Sequence, residues 1–239
     1  MNKERLKTGL EMMGVAADET ALDRFEAFHA ILDEYNARMD LTAVLDEDER
    51  VDRHDLDSAA PLAHGLLMPG AKVIDVGTGA GFPGMPLLIL RPDLQITFLD
   101  ALNKRILFLE DALKRLGLTA ATLHARAEDA AKMAAHREQY DAAVSRAVAN
   151  AATLEELTLP FVKKGGVAIA WKGPGVADEL TAARRAAFLL GGTVRGTVDA
   201  PIPRRADWAH VLLLTDKTGT TPKAYPRKAG TPGKKPLGM

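Results

Sequence analysis

The chain contains no cysteine. That absence excludes disulfides and thiolate metal sites. It also excludes any reaction through a cysteine nucleophile, including methylation of a pyrimidine C5 by way of a covalent thioether. Long apolar runs are missing as well: Pro86-Leu87-Leu88-Ile89-Leu90 is cut off by Arg91-Pro92, far short of a membrane span. The N-terminus, Met1-Asn2-Lys3-Glu4-Arg5, leads into an amphipathic stretch and not into a signal-peptide core. The histidines (29, 54, 64, 124, 136, 210) have no metal-ligand spacing, so no metal is expected. A soluble, monomeric, cytoplasmic protein is the expectation.

Net charge is nearly absent, with 31 basic and 32 acidic side chains giving −1. The balance hides an asymmetry. Residues 1–60 carry 16 acidic and 7 basic groups, and the acidic excess is confined there. After Asp216 come Lys217, Lys223, Arg227, Lys228, Lys234 and Lys235, with no acid among them. Such a tail is either a solvated end or a surface for a polyanion.

What is present is enough for a core. At 239 residues and 47% hydrophobic content, the chain suits one large α/β domain or such a domain with a helical appendage. Leu22, Phe25, Phe28, His29, Leu32 and Tyr35 recur at three- and four-residue spacing, which predicts helix. No strand-like alternation precedes Pro69-Gly70. The expected division is therefore a helical extension over 1–68 and a second unit over 69–239. From Lys72 the short apolar runs 72–76, 95–99, 121–124, 141–145, 167–171, 193–198 and 209–215 alternate with helical segments such as 104–116, 150–162 and 177–190. That rhythm predicts a doubly wound parallel sheet of seven strands. The final two have no helix between them and are expected to form an antiparallel pair.

The sharpest motif is Val73-Ile74-Asp75-Val76-Gly77-Thr78-Gly79-Ala80-Gly81-Phe82, a buried strand running into G-x-G-x-G. Gly77, Gly79 and Gly81 let the backbone turn tightly at the carboxyl end of the first strand, where open α/β sheets bind nucleotides. The next strand ends in Asp100, an acid placed to hold the hydroxyls of a ribose. The spacing differs from the G-x-G-x-x-G of pyrophosphate binding, so S-adenosylmethionine fits better than a nicotinamide dinucleotide. Arg126-Ala127-Glu128 follows the third strand; it could meet an adenine edge or simply start a helix. Ser145-Arg146-Ala147-Val148 ends the fourth, where amino-group methyltransferases carry N-P-P-Y or D-P-P-Y. Arg146 there could pair with a carboxylate or phosphate, or form a structural ion pair.

Taken together with Leu41-Thr42, Arg53-His54-Asp55-Leu56-Asp57-Ser58, Lys104-Arg105 and the ending Tyr225-Pro226-Arg227-Lys228-Ala229-Gly230-Thr231-Pro232 with Lys235-Pro236-Leu237, the chain from about Asp40 onward resembles a known family. It is that of the bacterial small-subunit (16S) ribosomal RNA guanine-N7 methyltransferases, also called glucose-inhibited division protein B. The resemblance implies a class I S-adenosylmethionine-dependent methyltransferase fold: a Rossmann-like seven-stranded sheet, last strand antiparallel, with an N-terminal helical extension. It places cofactor contacts on Gly77, Phe82, Ala127, Glu128 and Arg146, with Asp100 at the ribose. It further implies methyl transfer to a guanine N7 of 16S ribosomal RNA, or of a small-subunit assembly particle. Asp40 stands where the family usually has Asn.

Guanine N7 has a free lone pair and no proton to lose, so no catalytic acid or base is expected, in keeping with a chain that shows no such dyad. The groups expected to hold RNA are Arg53, Arg204, Arg205, Lys223, Arg227, Lys228, Lys234 and Lys235, with Tyr225 available for stacking on a base. His54 reads as a structural helix residue or as a contact at the cleft. Two rival readings remain at this level: a methyltransferase for another acceptor, and a nucleotide-binding regulator without catalysis.

Overall fold

In a computed structural model that describes residues 1–239, the side chain of Ala206 excepted, α1 (Lys3–Met12) and α2 (Glu19–Met39) open the chain. Asp18 starts α2 by accepting the Ala21 amide at 2.8 Å. Asp40 ends it at φ 49°, ψ 55°, a left-handed position that Asn and Asp tolerate better than other residues with a side chain. Next, α3 (Glu47–Arg50), one π-helical turn (Val51–Leu56) and α4 (Asp57–Ala63) run on without a break.

Seven strands follow, at Lys72–Val76 (β1), Gln95–Asp100 (β2), Ala121–His124 (β3), Tyr140–Arg146 (β4), Val162–Lys172 (β5), Gly192–Asp199 (β6) and Val211–Lys217 (β7). They form one sheet in the order β3-β2-β1-β4-β5-β7-β6. The first five are parallel; β7 lies between β5 and β6 and is antiparallel to both. Connecting helices are α5 (Gly84–Leu90), α6 (Asn103–Leu116), α7 (Ala127–Ala130), α8 (Ala151–Thr158) and α9 (Val176–Leu189), with α10 (Thr231–Lys234) in the tail. The seven-stranded α/β expectation therefore holds, and only β7 is reversed. Among the described residues, no helix is long and apolar enough to cross a membrane.

The apolar stripe of α2 is what ties the N-terminal helices to the sheet. Phe25, Phe28 and Leu32 are fully buried and share a core with Val73 of β1, Met85 and Leu88 of α5 and Phe108 of α6. Phe28 meets Phe82 edge-to-face at 5.7 Å and Phe108 at 6.3 Å. Truncating one such ring to Ala costs about 3–5 kcal/mol, so these helices are a structural layer over one face of the sheet. The π-helical turn, carrying Arg53 and His54, lies against Phe82 of the glycine loop and Arg146 at the carboxyl end of β4.

Candidate cofactor and acceptor site

The loop after β1 is fastened from beneath. Asp75 is fully buried, and its Oδ2 accepts from Thr78 Oγ1 at 2.7 Å and from the Gly84 amide at 2.9 Å. Burial pushes its carboxyl up to about 6. Gly77, Gly79 and Gly81 all have positive φ, at 73°, 60° and 92°. A Cβ on Gly77 would lie 2.8 Å from Val148 Cγ2, and one on Gly81 would lie 2.7 Å from Met85 Cγ. Gly77 is thus required by the approach of the β4 loop, and Gly81 by packing under α5.

A cavity of about 270 Å³ opens at the carboxyl ends of β1, β2 and β3, lined by Gly77, Leu99, Asp100, Ala127, Glu128, Val148, Leu157, Gly230 and neighbours. Asp100 is nearly buried; its Oδ2 accepts from the Gly79 amide at 3.0 Å and from Arg105 at 3.2 Å, and its Oδ1 accepts from the Leu102 amide at 2.8 Å. An ionised carboxylate has about four acceptor positions, so capacity remains for a hydroxyl. Glu128 is buried and accepts the Gly230 amide on Oε1 at 2.7 Å. Leu99, Val148 and Leu157 supply apolar walls for a purine ring. An acid at the β2 tip, a glycine turn crowded at Gly77 and Gly81, and a buried acid between apolar walls fit S-adenosylmethionine.

The expected cofactor residues divide. Gly77, Asp100, Ala127 and Glu128 line this cavity. Gly79 acts through its amide on Asp100, and Gly81 shapes the loop. Phe82 lines neither this cavity nor the next; it is buried, stacked on His54 at 4.3 Å between ring centroids, with the Arg146 guanidinium 5.3 Å from its own centroid. Arg146 faces a second, larger cavity of about 560 Å³, lined by Arg53, His54, Asp57, Arg146, Trp171, Lys172, Glu179 and His210 among others. There it donates to Asp57 Oδ2 at 2.8 Å and to the Arg53 carbonyl at 2.7 Å. The two cavities adjoin at the segment after β4: Val148 lines the first, Ala147 the second, and Ala149 both. Ala147 holds φ 58°, a strained conformation for a residue with a Cβ.

Several residues of the second cavity escape sequence reasoning. Asp57, almost fully buried, also bonds His210 at 3.0 Å, and its carbonyl accepts the Trp171 indole N–H at 2.8 Å. Lys172 pairs with Glu179 at 2.7 Å. His54 bonds Thr42 Oγ1 at 2.8 Å, and burial together with Arg146 pushes its imidazole down to about 3, so it is neutral. The sequence signals this region only in part: Arg53-His54 through Ser58 stands out as a motif, but its partners at 146, 171 and 210 are distant along the chain.

The expected RNA-binding residues also separate. Lys223, Lys228, Lys234 and Lys235 are exposed. Arg53 is exposed at the mouth of the second cavity with its guanidinium 4.2 Å from the Trp208 ring centroid. Arg204 is exposed and donates to the Arg5 carbonyl at 2.9 Å. Arg205 pairs with the fully buried Asp52 at 2.7 Å. Arg227 makes a bidentate pair with the fully buried Glu156. Tyr225 is half-buried and packs against a cluster that includes Tyr140 and Ala143 of β4 and Val162 and Ala168 of β5.

The fold is similar to that of a TehB-like SAM-dependent methyltransferase from Corynebacterium glutamicum (18% identity, TM-score 0.50, covering 80% of this chain and all of that one). It is also similar to the fibrillarin pre-rRNA processing protein of Methanococcus jannaschii (17% identity, TM-score 0.52, covering 68% and 74%). In sequence the chain is 41% identical over 233 residues to the ribosomal RNA small subunit methyltransferase G of Clostridium perfringens, covering 97% of both. It is 43% identical over 237 residues to the protein of that name from Alkaliphilus metalliredigens, covering 99% of both. The model of the GidB family, rRNA small subunit methyltransferase G, matches residues 21–204. With the class I methyltransferase sheet, the glycine turn and the Asp100 acid in place, the chain belongs to the GidB family of S-adenosylmethionine-dependent methyltransferases.

Proposed function

We propose that this protein transfers a methyl group from S-adenosylmethionine to N7 of a guanine in small-subunit (16S) ribosomal RNA. The observation that carries the reading is the pair of adjoining cavities: one suited to the cofactor, the other large enough for a base and rimmed by Arg53, separated only by residues 147–149. S-adenosylmethionine supplies, when bound, an electrophilic methyl on a positively charged sulfur. Guanine N7 brings a lone pair and no proton, so the chain's own work is to orient the base and exclude water. Asp57 compensates the charge of Arg146 at the boundary, and His54 stays neutral, which keeps added positive charge away from a cationic donor. N7 is hidden in the deep major groove of an RNA helix, so the base must enter from a loop or an unstacked position. The relatives' names support ribosomal RNA of the small subunit as the substrate.

Purified protein should deposit N7-methylguanine at one position of small-subunit ribosomal RNA when given S-adenosylmethionine. Mapping by chemical cleavage with and without the protein reads this directly. Methylation of another atom, or none on any form of the RNA, would overturn the reading.

A further inference from the structure

We infer that the Arg227–Glu156 ion pair is a latch that positions the cofactor site through the C-terminal strap. This rests on assigning the 270 Å³ cavity to S-adenosylmethionine.

The strap is anchored twice. Upstream, Lys217 is nearly fully buried and bonds Glu138 at 3.0 Å and Thr221 Oγ1 at 2.6 Å, while Arg137 donates to the carbonyls of Thr221 at 2.7 Å and Tyr225 at 2.9 Å. Downstream, Glu156 on α8 is fully buried and accepts both the Arg227 amide at 2.8 Å and its guanidinium at 2.5 to 3.0 Å. The same guanidinium donates to the Lys235 carbonyl at 2.7 Å, closing 227–235 into a loop. Thr153 Oγ1 bonds the Pro232 carbonyl at 3.2 Å on the same helix.

What that loop delivers to the cavity is backbone. Gly230 turns at φ 80°, a conformation that glycine adopts freely, and aims its N–H at Glu128 Oε1. Gly230 and Gly233 form part of the cavity wall, and Thr153 and Leu157 of α8 line it too. Arg227 itself does not line the cavity. It is a positioning residue: it fixes the loop, the loop fixes Gly230, and Gly230 holds the Glu128 carboxylate in place.

Removing Arg227 alone would leave Glu156 buried without its partner and endanger the fold. The test therefore uses Arg227→Lys and the paired variant Arg227→Met with Glu156→Gln, in which the amide oxygen can still accept the backbone N–H at position 227. Arg195→Ala, which breaks an exposed pair with Asp216 away from the cavity, is the control. S-adenosylmethionine is titrated by calorimetry without RNA, and the KM for cofactor and kcat are measured on RNA. Expected is an affinity loss of about tenfold in the paired variant, the ordinary size of a coupling between sites, with the KM rising to match and kcat held within about twofold. Arg227→Lys keeps the charge without the planar fork and should lose less than the paired variant. The control should bind like the wild type. Wild-type affinity in a folded paired variant, or equal falls in kcat and affinity for the control, would overturn the latch. A wild-type protein that fails to bind S-adenosylmethionine would instead overturn the cofactor assignment on which it rests.

Discussion

Gly77 turns at φ 73° directly beneath Val148, so its role is testable in two parts. A side chain there costs roughly 1–2 kcal/mol from the left-handed backbone alone. Gly77→Ala should lower S-adenosylmethionine affinity by about tenfold, a factor worth 1.4 kcal/mol. Adding Val148→Ala removes the collision but not the backbone term, so it should recover part of the loss; full recovery in calorimetry would mean that the backbone term is absent. Glu155 offers a second test. It is almost fully buried on α8, with Thr215 donating to Oε1 and no partner for Oε2 among the described residues, and burial pushes it up to about 8. Since the folded group holds its proton more tightly than the unfolded one, its contribution is fully present below the ordinary value of 4.5 and is lost as pH rises to about 8. Asp75 acts with the same sign over a narrower range, up to about 6. Glu155→Gln should therefore flatten the decline of melting temperature between pH 5 and pH 8. Parallel curves for variant and wild type would contradict this.

The elements are legible where local chemistry decides them. The stripe from Leu22 to Tyr35 marks α2, and its boundary is set by Asp18; Asp18→Ala should cost about 1 kcal/mol in denaturant unfolding without altering the steepness of the transition. The strand runs are readable from their β-branched and apolar residues, and the glycine loop with Asp100 from its place between two of them. Elsewhere the signal is hidden. β5 begins at Val162, not Val167, because the exposed Lys163-Lys164-Gly165 has the composition of a turn yet continues the strand past an irregularity beside Tyr140. β7 begins at Val211 because Ala209 turns into a left-handed conformation after a short 3-10 segment. The helix read over 150–162 stops at Thr158 and tightens into a 3-10 turn. Basic residues are the least legible. Lys217, Arg205 and Arg227 look like surface cations, but their partners Glu138, Asp52 and Glu156 are brought to them only by the fold.

Across the whole molecule, the charge asymmetry resolves into two uses. Part of the acidic N-terminal segment is spent internally, as where Asp52 receives both Arg5 and Arg205. The exposed cations of the tail, Lys223, Lys228, Lys234 and Lys235, remain outward. Changing these four to Ala should reduce the dependence of RNA affinity on salt, by about 0.7 to 0.9 in logarithmic slope for each phosphate that a lysine no longer neutralises. An unchanged slope in filter binding would show that they face only solvent. The sheet order carries one more consequence. Because β7 is inserted between β5 and β6, the edge of β5 and the whole of β6 lack hydrogen-bonding neighbours until residues 211–217 arrive. On a ribosome, which extends the chain from its N-terminus, β1 to β5 can pair while β6 waits as an unmatched ribbon, the kind of edge that invites wrong partners. The strap leaves the ribosome later still. A nascent chain therefore closes its sheet only after residues 211–217 emerge, and the part of the cavity wall that Gly230 and Gly233 supply arrives later than the sheet itself.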